Sequence, residues 1–141
     1  MKKKYIIICT VFLVIALIFL AVCLWYFSPV SFLQGVEENR VSSIYVFDGS
    51  TGKKMVIEDR EEINRIVGNI QSLKLKRNGL SINYVGFSFS LTFKDKDGNA
   101  IDGIGINSKD TIRDSRFFYK CESGEICFDY LLELADRYGA E

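Results

Sequence analysis

Between Tyr5 and Phe27 the chain carries no charged residue, and this run is entered directly after Lys2, Lys3 and Lys4. At the helical rise of ~1.5 Å per residue the run reaches roughly 34 Å, enough to cross a hydrocarbon layer of ~30 Å with some tilt. Fifteen of its residues are Leu, Ile, Val or Phe. At ~0.3 to 0.6 kcal/mol of favourable insertion each, they contribute at least ~4 kcal/mol, and no charge opposes them. Tyr5 at one end and Trp25 and Tyr26 at the other stand where amphipathic rings meet the two headgroup regions. Core helices of soluble proteins rarely stay apolar on all sides for this length, so residues 5–27 are expected to form a transmembrane helix in contact with the lipid bilayer.

The three lysines precede the run, and the next basic residue after it is Arg40. The positive-inside bias then places residues 1–4 in the cytoplasm as a short tail and everything after the helix outside it, in a single-pass arrangement at the cell membrane. A cleaved signal peptide would have an apolar stretch of ~7 to 15 residues ending at a small-x-small site, and neither condition is met. Leu20-Ala21-Val22-Cys23 superficially resembles a lipoprotein cleavage box. Val22 is bulky for the position before the cysteine, however, and Leu24 to Phe27 continue the apolar run. An uncleaved signal anchor is the expectation, with lipidation of Cys23 as its lesser rival.

All 18 acidic residues lie beyond the anchor, together with 15 of the 18 basic ones, so the outer part carries a net charge of −3. Nucleic-acid binding relies on clustered Lys and Arg that release counterions, and a mildly acidic domain tethered beside lipid is unsuited to it. Residues 28–40 hold the only proline and no sustained period, and read as a juxtamembrane linker. Residues 41–141 then form one extracytoplasmic domain, with twelve aromatic residues to build a core that needs no cofactor. Cys9 and Cys23 lie in the anchor, and Cys121 and Cys127 in the domain. The second pair is either a disulfide clipping a strand end to a helix start or two buried thiols acting as small hydrophobes.

Val41 to Phe47 and Lys54 to Ile57 flank the turn-rich DGSTGK and read as a hairpin. Asp59 followed by Glu62 makes a capping-box pattern, and Ile63, Ile66, Val67, Ile70 and Leu73 recur at helical spacing over residues 60–73. Leu75 to Ile82 contains the turn pair Asn78-Gly79. Phe87, Phe89, Leu91 and Phe93 then alternate with Ser88, Ser90 and Thr92, the clearest strand signal in the chain. Asp97-Gly98-Asn99 gives a turn, Ile104 and Ile106 a returning strand, and Arg116 to Glu122 another. Cys127, Leu131, Leu134, Ala135 and Tyr138 share a closing helical face. The order β-β-α-β-β-β-β-α predicts an α+β domain with an antiparallel or mixed sheet and two helices packed on one face.

Gly49-Ser50-Thr51-Gly52-Lys53-Lys54 has two residues between its glycines rather than the four of a phosphate-binding loop, and Lys54 occupies the position of the required hydroxyl. It is a glycine-permitted turn. Asp95, Asp97, Asn99 and Asp102 alternate oxygen ligands, but Gly98 falls at the wrong step for an EF-hand and no closing Glu follows, so a plain turn is expected there. Lys74, Lys76 and Arg77 form the densest basic cluster outside, suited either to anionic headgroups and cell-wall polymers or to blunting an edge strand. The hydroxyl ladder of Ser88, Ser90 and Thr92 reads as a solvated sheet face or a ligand platform. The chain contains no histidine. That removes the commonest general base and metal ligand, and with them any Ser-His-Asp triad or Cys-His pair. Glu61 and Glu62 serve a helix start and Asp110 and Asp114 fall in a loop. The chain is therefore read as not an enzyme, with no catalytic, cofactor-binding or metal-ligating residue.

IYVFDGSTGK, VIEDREEINRIVGNI, FSFSLTFKDKDGN and FFYKCESG, which together cover most of residues 41–132, resemble uncharacterised small membrane-anchored proteins of low-GC Gram-positive bacteria that carry a domain of unknown function. The resemblance implies an extracytoplasmic placement and brings no activity or site residues. Three functions compete on this reading. The leading one is a tethered module binding an envelope or membrane protein partner. The others are an inhibitor or immunity-like protein using the Ser88, Ser90 and Thr92 face, and a carboxylate-dependent hydrolase of cell-wall glycans.

Overall fold

The structure is a computed structural model and describes residues Lys2–Tyr138. The first helix, α1 (Lys2–Phe27), opens with three lysines, carries no charge from Tyr5 onward and buries none of its residues. It is long and apolar enough to cross a membrane by length and composition. The remainder is an α+β fold of seven strands and two further helices: β1 (Ser43–Asp48), β2 (Lys54–Ile57), α2 (Arg60–Ser72), β3 (Lys74–Leu80), β4 (Phe89–Lys94), β5 (Ala100–Ser108), β6 (Thr111–Arg113), β7 (Phe117–Ser123) and α3 (Phe128–Tyr138).

Every pairing is antiparallel, and the strands lie in the order β2-β1-β4-β5-β6-β7-β3. α2 thus carries the chain from one edge of the sheet to the other, which is why hairpin and helix precede the central strands in sequence. The predicted alternation sets the layering. Phe89, Leu91 and Phe93 of β4 are buried, as are Ile44 and Val46 of β1 and Ile104 and Ile106 of β5. Registration joins them into rows, among them Phe89, Ile106, Ile112 and Tyr119 across β4 to β7. Ile63, Ile66, Val67 and Ile70 of α2 and Leu131 and Leu134 of α3 complete the same core, and the Phe89 and Phe128 rings meet edge-on at 5.6 Å. Both helices therefore lie on one face of the sheet.

Asp59 caps α2 by accepting the N–H groups of Glu61 and Glu62 at 2.9 and 3.0 Å. The return arm of the capping box is replaced by something else. The nearly buried Glu62 carboxylate accepts from Arg137 at 2.7 Å and from the Tyr138 hydroxyl at 2.8 Å, tying α3 to α2. Arg65 adds a second tie, with its guanidinium 3.9 Å from the Tyr130 ring centroid. Asn69 adds a third: it accepts the Cys127 N–H at 2.9 Å and donates to the Glu125 carbonyl at 2.8 Å, fixing the start of α3.

Three details differ from the sequence reading. The segment between the Ile104–Ile106 strand and Arg116, expected as a loop, contains β6, which inserts Ile112 into the core. Asn78-Gly79 makes an irregularity inside β3 rather than a turn, and pairing resumes at Leu80 and Phe117. Residues 28–40 are built into the domain: Val30 bridges to Leu75 on the outer edge of β3, Leu33 is buried, and the Gln71 side chain donates to the Leu33 and Val36 carbonyls at 2.9 and 2.7 Å.

Candidate functional site

The uncovered face of the sheet is assembled by the same registration that builds the core. Phe47, Ser90, Gly105, Arg113 and Phe118 are successive partners across β1, β4, β5, β6 and β7, with Tyr45, Thr92 and Gly103 in the neighbouring row. The two glycines leave the middle of this face without side chains. The result is a shallow trough of about 200 Å³ whose lining includes Ser90, Thr92, Arg113 and Asp114.

Arg113 lies in that trough. A Cβ at Gly105 would stand 3.1 Å from Arg113 Cγ and 3.2 Å from its Nε, so glycine on the neighbouring strand is what lets the arginine lie flat across the sheet. Its guanidinium carbon is 5.7 Å from the Tyr84 and Phe87 ring centroids, within cation–π range of both. Nε is buried without a hydrogen-bond partner among the described residues. The rings extend outward as pairs: Phe47 with Phe87 at 5.8 Å and Tyr84 with Phe118 at 4.9 Å. A cation is thus framed by aromatic rings, with the hydroxyl residues Ser90 and Thr92 on the same face of the sheet.

Asp114 stands at the rim, fixed from beneath. The N–H groups of Arg116 and Phe117 donate to Oδ1, each at 2.7 Å, and the Tyr119 hydroxyl donates to Oδ2 at 2.8 Å. Burial pushes its carboxyl up, but these bonds outweigh it and hold the group below its ordinary value. Burial together with the Asp114 bond raises the Tyr119 phenol to about 12. At the opposite strand end Asp48 organises the glycine turn, accepting from Ser50 N–H at 2.7 Å and the Thr51 hydroxyl at 2.7 Å. That carboxylate is the turn's anchor, and Gly49 is required because a Cβ there would sit 2.2 Å from the Phe87 carbonyl oxygen.

The hydroxyl ladder is shorter than predicted. Ser90 and Thr92 lie on the open face, but Phe87 and Ser88 precede β4, the Ser88 hydroxyl donates to the Asn107 carbonyl at 3.0 Å, and the Phe87 ring turns to the open side rather than the core. Arg113 was not singled out by the sequence reading. Glycines alternating with Ile104 and Ile106 were the available signal, because a glycine inside a strand marks a close approach by another group.

A second concavity, of about 460 Å³, opens where α1 meets the sheet edge; Tyr26, Phe27, Lys76, Arg77, Lys120 and Glu122 line it. Arg77 donates to the Trp25, Tyr26 and Ser28 carbonyls at 2.9, 3.3 and 3.3 Å, satisfying acceptors that the end of a helix leaves open. Its guanidinium also lies 4.3 Å from the Trp25 ring centroid. Lys76 pairs with Glu122 at 3.4 Å. The basic cluster of Lys74, Lys76 and Arg77 thus sits on an edge strand, with Arg77 committed to holding α1.

Cys121 and Cys127 carry free thiols. The Cys121 thiol donates to the Ser123 and Gly124 carbonyls at 3.4 Å, while burial pushes the Cys127 thiol up to about 11. Asp95 accepts the N–H groups of Asp97 and Asn99, both at 2.9 Å, in a closed turn. Among the described residues no group of three His, Cys, Asp or Glu could hold a metal ion. Asp110 is engaged by the hydroxyls of Ser108 and Thr111 and by Lys120. No family model, curated protein or solved structure matches the chain.

Proposed function

We propose that this is a single-pass membrane protein whose α+β domain, held outside the cytoplasm, binds a protein partner of the membrane or envelope through the open sheet face around Arg113. The observation that carries the reading is an arginine lying in a glycine trough, with its guanidinium within cation–π range of Tyr84 and Phe87. Arginine and aromatic rings are the residues that most often dominate protein interfaces. The guanidinium is suited to a carboxylate or a backbone carbonyl of the partner. The three lysines that open α1 and the lack of any charge from Tyr5 to Phe27 support the orientation. Tethering supplies a high local concentration, so a modest interface suffices.

A photo-crosslinking residue at Phe47, in the full chain in intact cells, is expected to capture a partner, and Arg113→Glu to abolish the capture. Recovery of only the isolated chain, or capture indifferent to Arg113→Glu, removes the reading. Protease added to protoplasts is expected to digest the domain, and protection of the domain removes the orientation.

The rings of Phe47, Tyr84, Phe87 and Phe118 beside the same face also favour an inhibitor or immunity-like role, in which the partner is an exogenous toxin or enzyme. Equal sensitivity of deletion and parent strains to competitor supernatants would eliminate that variant and leave an endogenous partner.

A further inference from the structure

Among the large apolar side chains of the domain that stand exposed, four fall within six consecutive residues: Leu80 (66%), Ile82 (60%), Tyr84 (50%) and Val85 (94%). The others among the described residues are Val56 on β2, at the opposite edge of the sheet, and Leu132 on α3. A cluster of this kind on a small domain marks a surface that meets something apolar.

Its place in the fold identifies what that is. Val30 runs antiparallel to β3 at Leu75, and Ser28 lies at Arg77, so α1 joins the domain from the Leu80 end of β3. Leu80 is registered with Phe117, whose ring lies 6.0 and 6.1 Å from the Trp25 and Tyr26 rings. The exposed segment therefore begins beside the aromatic end of α1, where the headgroup region of a bilayer would lie. The backbone holds the segment in place: the Ser81 N–H donates to the Arg116 carbonyl at 2.9 Å, and its hydroxyl to the Asp114 carbonyl at 2.8 Å. Asn83 adopts a φ of 61°, which turns the chain sharply between Ile82 and Tyr84. Tyr84 rests on Phe118, leaving Leu80, Ile82 and Val85 without cover.

We infer that Leu80, Ile82 and Val85 form a second lipid contact, seated in the membrane interface beside α1, so that the domain rests on the bilayer at two points. This rests on the reading of α1 as a membrane span. Of the nearby cations, Lys76 is paired with Glu122, Lys120 with Asp110 and Arg116 with Asp114, and Arg113 lies against the Tyr84 and Phe87 rings. The attraction is then one of apolar area rather than charge, and it operates on zwitterionic lipid.

Trp25 is the only tryptophan, which makes fluorescence a direct test. The full chain is reconstituted in phosphatidylcholine vesicles with and without brominated acyl chains. Trp25 in the parent chain is expected to be quenched by the brominated lipid; if it is not, the span and the loop contact fall together. With Trp25→Phe in place, Ile82→Trp and Val85→Trp are expected to emit at shorter wavelength, to lose emission in brominated lipid and to resist aqueous iodide. Val56→Trp in the same background reports the opposite edge and is expected to respond to iodide alone. Quenching of Trp25 with iodide-sensitive, lipid-insensitive Ile82→Trp and Val85→Trp overturns the loop contact and spares the span. Blue-shifted emission that depends on protein concentration instead of bromination overturns it in favour of a second copy of the chain. Lipid quenching of Val56→Trp as well overturns it in favour of indiscriminate adsorption.

Discussion

Along β4, Phe89, Leu91 and Phe93 enter the helix-covered layer while Ser90 and Thr92 face outward, and the neighbouring strands repeat the division. On the covered side branched aliphatics and phenylalanines interlock at zero or near-zero exposure. On the other, one cation, paired rings, hydroxyls and two glycines leave a trough. The same backbone ladders hold both faces in register, so neither is free to shift without the other. One face stabilises the domain by excluding water. The other is free to vary in chemistry because little of the stability depends on it.

That contrast makes unequal predictions. Phe93→Ala empties part of a close-packed layer and is expected to cost about 3–5 kcal/mol, read as a fall in the urea midpoint of the full chain in detergent micelles. A cost under about 1 kcal/mol would mean that the covered layer is loosely packed and the contrast illusory. Next in size, Glu62→Ala strips Arg137 and Tyr138 of their shared acceptor and is expected to cost about 1–2 kcal/mol in the same measurement.

Acid should act from the rims rather than from either face. Asp48 and Asp114 titrate below their ordinary value of 3.8 because hydrogen bonds to their charged forms outweigh the opposing effect of burial. A depressed folded value means that their contribution is complete above the unfolded value and is lost as pH falls through the folded one. The urea midpoint should therefore be flat from neutrality to about pH 5 and drop below about pH 4. Asp114→Asn should flatten part of that drop.

The smallest stability effect is expected at the centre of the open face. Arg113→Met keeps the stem and removes a buried, unpartnered Nε, so the midpoint should move by no more than about 0.5 kcal/mol in either direction while crosslinking through Phe47 disappears. A loss above about 2 kcal/mol would make Arg113 a structural residue and collapse the distinction between the faces.

Much of the covered layer was legible in the sequence because periodicity reports burial directly. The β4 alternation, the helical spacing of Ile63 to Ile70 and the Asp59 cap each reflect one local constraint; α2 forms where its pattern lies, and β4 from Phe89 onward rather than from Phe87. What escaped has no period to detect. β6 is three residues long and buries one side chain, Ile112, so no alternation exists within it, and the flanking Asp110 and Asp114 imitate a loop. Residues 28–40 dock through scattered single contacts at Val30 and Leu33 rather than through a repeating face. The open-face site is harder still. Arg113, Gly105, Tyr84 and Phe87 come together through strand order and a loop crossing, neither of which is encoded near any one of them.

The grip of Arg77 on the last carbonyls of α1 has a consequence for how the molecule points. A helix joined to the sheet by its covalent link alone would be free to take any heading relative to it. Here one guanidinium and the Val30 bridge tie the end of the helix to the edge strand of the sheet. Whatever tilts or turns the helix also swings the far edge of the sheet, and with it the aim of the trough.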